Sequence, residues 1–150
     1  MVDLGDELEA RRLRPDEWSG HWNAVMVALD RIPSVWSEYW TKDFIFNAVM
    51  HGHWQAWAFG TEPLLLNVIV LTEIIEMPAN RFLKIHLAFG NSLDKVMPLI
   101  EAMMEKFAVL MKCDFCEIIG REGWKGKIRS TRFERHGVVL RARVPKQGVH

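Results

Sequence analysis

The stretch Arg81-Phe82-Leu83-Lys84-Ile85-His86-Leu87-Ala88-Phe89-Gly90-Asn91-Ser92 decides how this chain is read, because the hydrophobic period changes at its end. From Arg81 to Phe89 apolar residues alternate, which predicts a strand with Leu83, Ile85, Leu87 and Phe89 on one face. From Ser92 to Met111 they recur at three- and four-residue spacing, through Leu93, Val96, Met97, Ile100, Met103, Met104, Phe107 and Met111. That spacing predicts a helix with one wide apolar stripe, its methionines read as core. With Asp94 as the cap, Pro98 lies in the first turns of this helix and forfeits a backbone hydrogen bond there; if the helix starts earlier, Pro98 kinks it. Gly90 stands at the junction, so the segment reads as strand, tight turn, helix.

Working back toward the N-terminus, Leu64 to Met77 is rich in Leu, Ile and Val and bounded by Pro63 and Pro78, as a long bent strand would be. Met77-Pro78-Ala79-Asn80 turns the chain into the strand above. Trp54, Ala56 and Ala58 alternate with Gln55, Trp57 and Phe59 before the turn residues Gly60-Thr61-Glu62-Pro63, so three consecutive antiparallel strands are expected. Ahead of them, Thr41 to Met50 reads as a helix capped by Thr41, with Gly52 closing it. Trp18 to Ile32 reads as one amphipathic helix, and Leu8 to Leu13 as a first strand. Toward the C-terminus a strand from Cys113 to Ile119, a short helix from Gly123 to Arg132 and a strand from Val138 to Val144 are expected. The fold class is therefore α/β (α+β), a mostly antiparallel central sheet flanked by helices, as one domain over residues 1–150 with no repeat or linker.

Composition agrees with a folded globular chain: 150 residues, 49% hydrophobic and 25% charged. Net charge is zero, but residues 121–150 hold nine Lys or Arg against two Asp or Glu, a basic end on an acidic body. Such an end is a solvated face or a weak nucleic-acid signal. The acidic N-terminus lacks the basic and apolar regions of a signal peptide. The apolar run from Leu64 to Leu71, interrupted by Asn67, is too short to cross a bilayer, so no membrane is expected. Cys113 and Cys116 are the two cysteines. With only His51 and His53 as further ligands they make no zinc site, no metal is expected, and they are read as buried, reduced and on opposite faces of a strand.

The element order resembles the GNAT (Gcn5-related N-acetyltransferase) family, a GNAT-like acyl-CoA N-acyltransferase fold, over nearly the whole chain. Gly120-Arg121-Glu122-Gly123-Trp124 is similar to the Gly-Arg-x-Gly-Trp segment of GNAT-like proteins of bacteriophage and prophage type. Ile85 to Gly90, the helix with Pro98, Glu101 and Ala108, and Cys113 to Ile118 stand where that group has them. Arg132-Phe133 departs from the Gly-Phe or Gly-Tyr the group carries before its last strand. Some relatives of this kind are internal or assembly-associated virion proteins of short-tailed phages, which implies other phage virion or assembly proteins as partners and the virion or the bacterial host cytoplasm as location.

The resemblance also implies a loop for the pyrophosphate of acetyl-CoA, built from backbone N–H groups at a helix N-terminus. Against the family pattern Gln/Arg-x-x-Gly-x-Gly/Ala, this chain has Leu87 at the first position and Ser92 at the last, and keeps only Gly90. Asp94 in the first turn opposes a phosphate at the same dipole, and Lys95 offsets part of that. Gly90, Asn91 and Ser92 are thus the residues of a vestigial acetyl-CoA loop. A base for acetyl transfer is not marked: Glu73, Glu76 and His86 are the candidates, and each is also an ordinary strand residue. The one tyrosine, Tyr39, lies far upstream of where the family places its acid. Nucleophile, phosphate-loop and metalloprotease motifs are absent. Of seven tryptophans, six fall in the first 57 residues; Trp36 and Trp40, one turn apart, are either core or a partner anchor. Arg121 and Trp124 are a partner contact or the closure of one end of the core. The reading that results is a non-catalytic binding or structural protein with no catalytic residue and no cofactor; the alternative is an active N-acetyltransferase using acetyl-CoA through a divergent loop.

Overall fold

A computed structural model of the chain describes residues 8–61, 64–91, 93–118, 133, 134, 136, 137 and 140–146. In chain order the elements are β1 (Leu8–Arg12), α1 (Pro15–Gly20), α2 (Trp22–Asp30), α3 (Pro33–Trp36), α4 (Lys42–Met50), β2 (Gln55–Thr61), β3 (Leu64–Glu76), β4 (Arg81–Gly90), α5 (Leu93–Leu110) and β5 (Phe115–Ile118). The five strands form one sheet in the order β1-β2-β3-β4-β5. Neighbours are antiparallel except β4 and β5, which run parallel with α5 as their crossover.

Both faces of the sheet are covered, so the strand interiors are apolar on both sides. On one face Trp54, Ala56, Ala58, Ile69 and Leu71 meet the N-terminal helices through Trp18, Val25, Leu29, Trp36 and Ile45. On the other, Trp57, Phe59, Val68 and Val70 meet the α5 stripe of Val96, Met97, Ile100, Met104 and Phe107. Each such fully buried side chain contributes about 1.5–3 kcal/mol of transfer free energy. The methionines of α5 are core, as the spacing predicts, and Pro98 sits inside the helix on its exposed side.

The expected helix from Trp18 to Ile32 is two helices. His21, at φ −102° and ψ 5°, ends α1 and begins α2. The break lets Trp18 turn inward, where its indole N–H donates to the Phe46 carbonyl at 3.2 Å, while Val25 and Leu29 of α2 reach the same core. Pro33 does not simply interrupt: it opens the one-turn helix α3 as its first residue. Thr41 caps α4 as expected, its Oγ1 accepting from the Phe44 N–H at 3.1 Å. Gly52, at φ +78°, lies just beyond that helix.

A second difference sets up the site. Leu71 pairs with Leu87 and Thr72 with Ile85, so His86 is an extra residue in β4, a β-bulge. The bulge moves the second half of the strand to the other face. Leu83 and Ile85 pack with α5, whereas Leu87 and Phe89 pack with the N-terminal helices. The four residues expected on one face therefore divide between two cores.

At the C-terminal end, β5 begins at Phe115 and not at Cys113. Both cysteines pack toward the α5 core and not to opposite faces. The expected helix from Gly123 to Arg132 lies outside the described residues. Residues 140–146 run without regular structure where a strand is expected, with Leu140 and Val144 exposed. Among the described residues no helix is long and apolar enough to cross a membrane.

Candidate functional site

The β4 bulge places His86 on the face of the N-terminal helices. Its ring stacks on Trp54 with centroids 4.5 Å apart and meets the edge of Trp40 at 5.1 Å. Its Nε2 lies 2.8 Å from Glu73 Oε1 on the neighbouring strand. A carboxylate only accepts, so this bond places the imidazole proton on Nε2 and the basic lone pair on Nδ1. Nδ1 has no partner among the described residues, and the side chain is 12% exposed. Burial pushes the His86 pKa below its ordinary value; Glu73 pulls it back in part, and Lys84 adds a smaller downward push. At neutral pH the ring is therefore an uncharged, oriented base. That is the protonation state general-base chemistry requires.

The bulge also marks where β4 parts from its parallel neighbour. β5 pairs with β4 from Phe82 to Ile85, and among the described residues it accompanies β4 no further. Among the described residues, the backbone from His86 to Gly90 has no strand neighbour on that side.

At the end of β4 the turn is dictated by Asn67, the polar break in the apolar run. Gly90 has φ +136°, and a Cβ there would lie 2.1 Å from the Asn67 carbonyl oxygen. Only glycine fits. The Asn91 N–H donates to the same oxygen at 2.7 Å, so it is already used within the protein. Ser92 lies outside the described residues. Of the three loop residues expected to face a phosphate, Gly90 has a structural requirement of its own and Asn91 has its amide engaged. The N–H groups of the first turn of α5, beside exposed Asp94 and Lys95, are what that helix end offers an anion.

The remaining candidates separate clearly. Glu73 joins His86; Glu76 instead pairs with Arg81 beyond the bulge. Trp36 is core, its indole N–H donating to the Leu29 carbonyl at 2.9 Å. Trp40 belongs to the site: it touches His86, stands 5.0 Å from Trp54, and its other neighbour is Tyr39 at 5.6 Å. The single tyrosine, remote in sequence, is thus two rings from His86. Tyr39 is exposed, and Arg141 lies over it while pairing with Glu38 at 2.8 Å and hydrogen-bonding the Tyr39 hydroxyl. Cys113 and Cys116 are free thiols, and burial, with smaller help from Cys113 and Glu117, pushes Cys116 up to about 12. Among the described residues no group of three or more His, Cys, Asp or Glu is placed to hold a metal. Arg121 and Trp124 lie outside the described residues. Sequence reasoning named His86 and Glu73 but had no reason to join them. The signal was thin: one histidine in an apolar strand, thirteen residues from one glutamate.

No protein-family model matches the sequence, and no curated protein is similar to it. Solved structures are. An aminoglycoside acetyltransferase, meta-AAC0020, from an uncultured soil metagenomic sample, in complex with sisomicin, superposes with a TM-score of 0.66 at 10% identity over 96% of this chain and 100% of that one. A GCN5-related N-acetyltransferase from Ralstonia eutropha JMP134 gives 0.64 at 11% identity over 90% and 97%. A predicted acetyltransferase with acetyl-CoA from Clostridium acetobutylicum gives 0.63 at 8% identity over 91% and 96%. The chain has the GNAT acetyltransferase fold, a mixed five-stranded sheet flanked by helices. The expectation of no cofactor is corrected by the last of these structures, in which a protein of this fold holds acetyl-CoA.

Proposed function

We propose that this protein is an N-acyltransferase of GNAT type that takes its acyl group from acetyl-CoA or a related thioester. The observation that carries the reading is His86 at the β4 bulge, held neutral and oriented by Glu73, with Nδ1 left without a partner among the described residues. The fold it shares with acetyltransferases supports the same reading. In the reaction the amine nitrogen attacks the thioester carbonyl, the C–N bond forms and the C–S bond breaks. His86 Nδ1 takes a proton from the substrate ammonium so that the free amine can attack, and the second proton lost from nitrogen as the amide forms reaches the departing thiolate through water. The residues present fit the thioester unequally. The His86–Gly90 backbone, without a strand neighbour on the β5 side among the described residues, suits its amide-bearing arm, while the engaged Asn91 N–H leaves the pyrophosphate to the first turn of α5.

The test is calorimetry and thermal shift with acetyl-CoA, followed by thiol release with a panel of amines. Saturable binding together with a rate that drops about a hundredfold in His86→Ala supports the proposal. No heat and no thermal shift at millimolar acetyl-CoA overturns it.

A second reading is a non-catalytic partner-binding protein of phage type, in the virion or the host cytoplasm. What supports it is Leu87, buried where the family places Gln or Arg, together with the Asn91 N–H bonded inside the fold. Recovery of the chain in purified virions without acetyl-CoA binding would favour it.

A further inference from the structure

At the other end of the sheet from Gly90, on the face that α5 covers, a cavity of about 450 Å³ is lined by the apolar Ile74, Phe107 and Met111 and by Arg12 and Gln55. A smaller neighbouring cavity of about 280 Å³ is lined by the same Arg12 and Gln55, which places the two side chains together where the cavities meet. The strand register agrees. Arg12 pairs with Trp57, two residues from Gln55 along β2, so Arg12 and Gln55 stand on one face as diagonal neighbours.

Gln55 is 6% exposed, and a buried chain of hydrogen bonds fixes which way its amide lies. The Trp57 indole, a donor only, donates to Thr72 Oγ1 at 3.0 Å. The Thr72 hydroxyl then donates to Gln55 Oε1 at 2.8 Å. With its oxygen taken, Gln55 has the NH2 group left to offer, and that group has no partner among the described residues. A donor so nearly buried is costly to leave unmatched, so its acceptor comes from outside the chain.

Charge decides what kind of acceptor fits. The Glu73 carboxylate is turned to the opposite face of the sheet, onto His86. Glu76 and Arg81, which also line the cavity, are paired with each other, and the exposed His53 adds no negative charge. Arg12 forms no ion pair among the described residues, its guanidinium resting over the Phe107 ring at 5.5 Å. One uncompensated positive charge and one unmatched amide donor therefore face an apolar wall. A cation would be repelled by Arg12, and a doubly charged phosphate would leave one charge uncompensated beside Ile74, Phe107 and Met111. A carboxylate carries a single charge and two acceptor oxygens, one for each donor.

We propose that this cavity binds a small monocarboxylic acid with an apolar body. Its carboxylate meets Arg12 and the Gln55 amide, and its hydrocarbon body lies on Ile74, Phe107 and Met111. Thr72 and Ile74 flank Glu73 along β3, so the ligand lies across the sheet from the His86 dyad, and its binding does not depend on acyl transfer.

The test is a titration of the full chain with 4-methylpentanoate, followed by NMR of the side-chain amide and indole N–H signals. 4-Methylpentanamide serves as the arm with the same body and no charge, and acetate as the arm with the charge and no body. 4-Methylpentanoate is expected to shift the Gln55 amide and Trp57 indole signals saturably, with either control at least about tenfold weaker. Arg12→Gln, at an exposed position, is expected to weaken binding by about tenfold. Gln55→Glu keeps an acceptor for Thr72, removes the amide signal and so assigns it, and sets a carboxylate against the ligand; the Trp57 signal should then no longer respond. The proposal is overturned if either control binds as well as 4-methylpentanoate, if 4-methylpentanoate gives no saturable shift, or if Arg12→Gln binds it unchanged. Because neither a thioester nor an amine is present, this result and the acetyl-CoA titration fail separately: a chain that binds the acid and ignores acetyl-CoA loses the acyltransferase reading alone, and the converse result removes this proposal alone.

Discussion

His86 Nε2 and Glu73 Oε1 stand 2.8 Å apart across the β3–β4 pair, at the one residue where β4 is out of register with β3. Thirteen residues of chain separate them, and the bulge brings the imidazole to the face where Trp54 and Trp40 enclose it.

The pH behaviour of this pair is the first expectation. The folded-state pKa of His86 is lowered, so between that value and the ordinary 6.5 the unfolded chain binds the proton and the folded chain does not. Stability contributed by the neutral ring is present above pH 6.5 and lost as pH falls through the window below it. An NMR titration of the ring should give a midpoint below 6.5. Glu73→Gln removes the group that raises the pKa and should move the midpoint lower still. A midpoint that stays put in that variant breaks the electrostatic account of the dyad.

Gly90→Ala should be far costlier than Gly52→Ala. Both glycines have positive φ, but a Cβ at Gly90 meets the Asn67 carbonyl at 2.1 Å, while one at Gly52 meets nothing within 4 Å. Urea denaturation should show a loss on the order of 3 kcal/mol or more for the first and about 1 kcal/mol for the second. Equal losses would mean that backbone strain alone, and not the approach of β3, makes residue 90 glycine.

Thr72→Val should destabilise by about 1–3 kcal/mol although it keeps the side-chain shape, because it strips the buried Trp57 indole of its acceptor. The check is chemical denaturation together with the indole N–H resonance, which should lose its hydrogen-bonded shift.

Cys116 should resist alkylation in the native state. Its thiol is pushed up to about 12, chiefly by burial, so little thiolate exists at pH 8. Mass spectrometry after a timed iodoacetamide pulse should find Cys116 unmodified in the folded chain and modified in urea. Rapid native labelling would contradict the burial from which the shift derives.

Much of the fold was legible because it is local. The Thr41 cap, the turn from Met77 to Asn80, the α5 stripe and the three antiparallel strands each follow from residues within a few positions of one another. His21 was not legible as a helix boundary, since nothing in its own chemistry ends a helix. The break there accompanies the packing of Trp18 onto the core beside Phe46, a contact 28 residues away along the chain.

The candidate site was legible only as a list. Glu73, Glu76 and His86 stood as equal choices, and Tyr39 and Trp40 lay far away along the chain. The tertiary structure joined Glu73 to His86, turned Glu76 to Arg81, and brought Trp40 with Tyr39 to the imidazole.

The sequence by itself determined the stretch from Arg81 to Ser92 as strand, glycine turn and helix, because backbone period and glycine's conformational freedom are local properties. Only the tertiary structure decided that His86 is a bulge and that Gly90 answers to Asn67. In a strand covered on both faces, apolar alternation continues straight through an inserted residue: Leu83, Ile85, Leu87 and Phe89 are all buried whichever core each of them enters. The face, and with it the site, is fixed by the register against β3, and a register is a relation between two strands that neither strand's own residues encode.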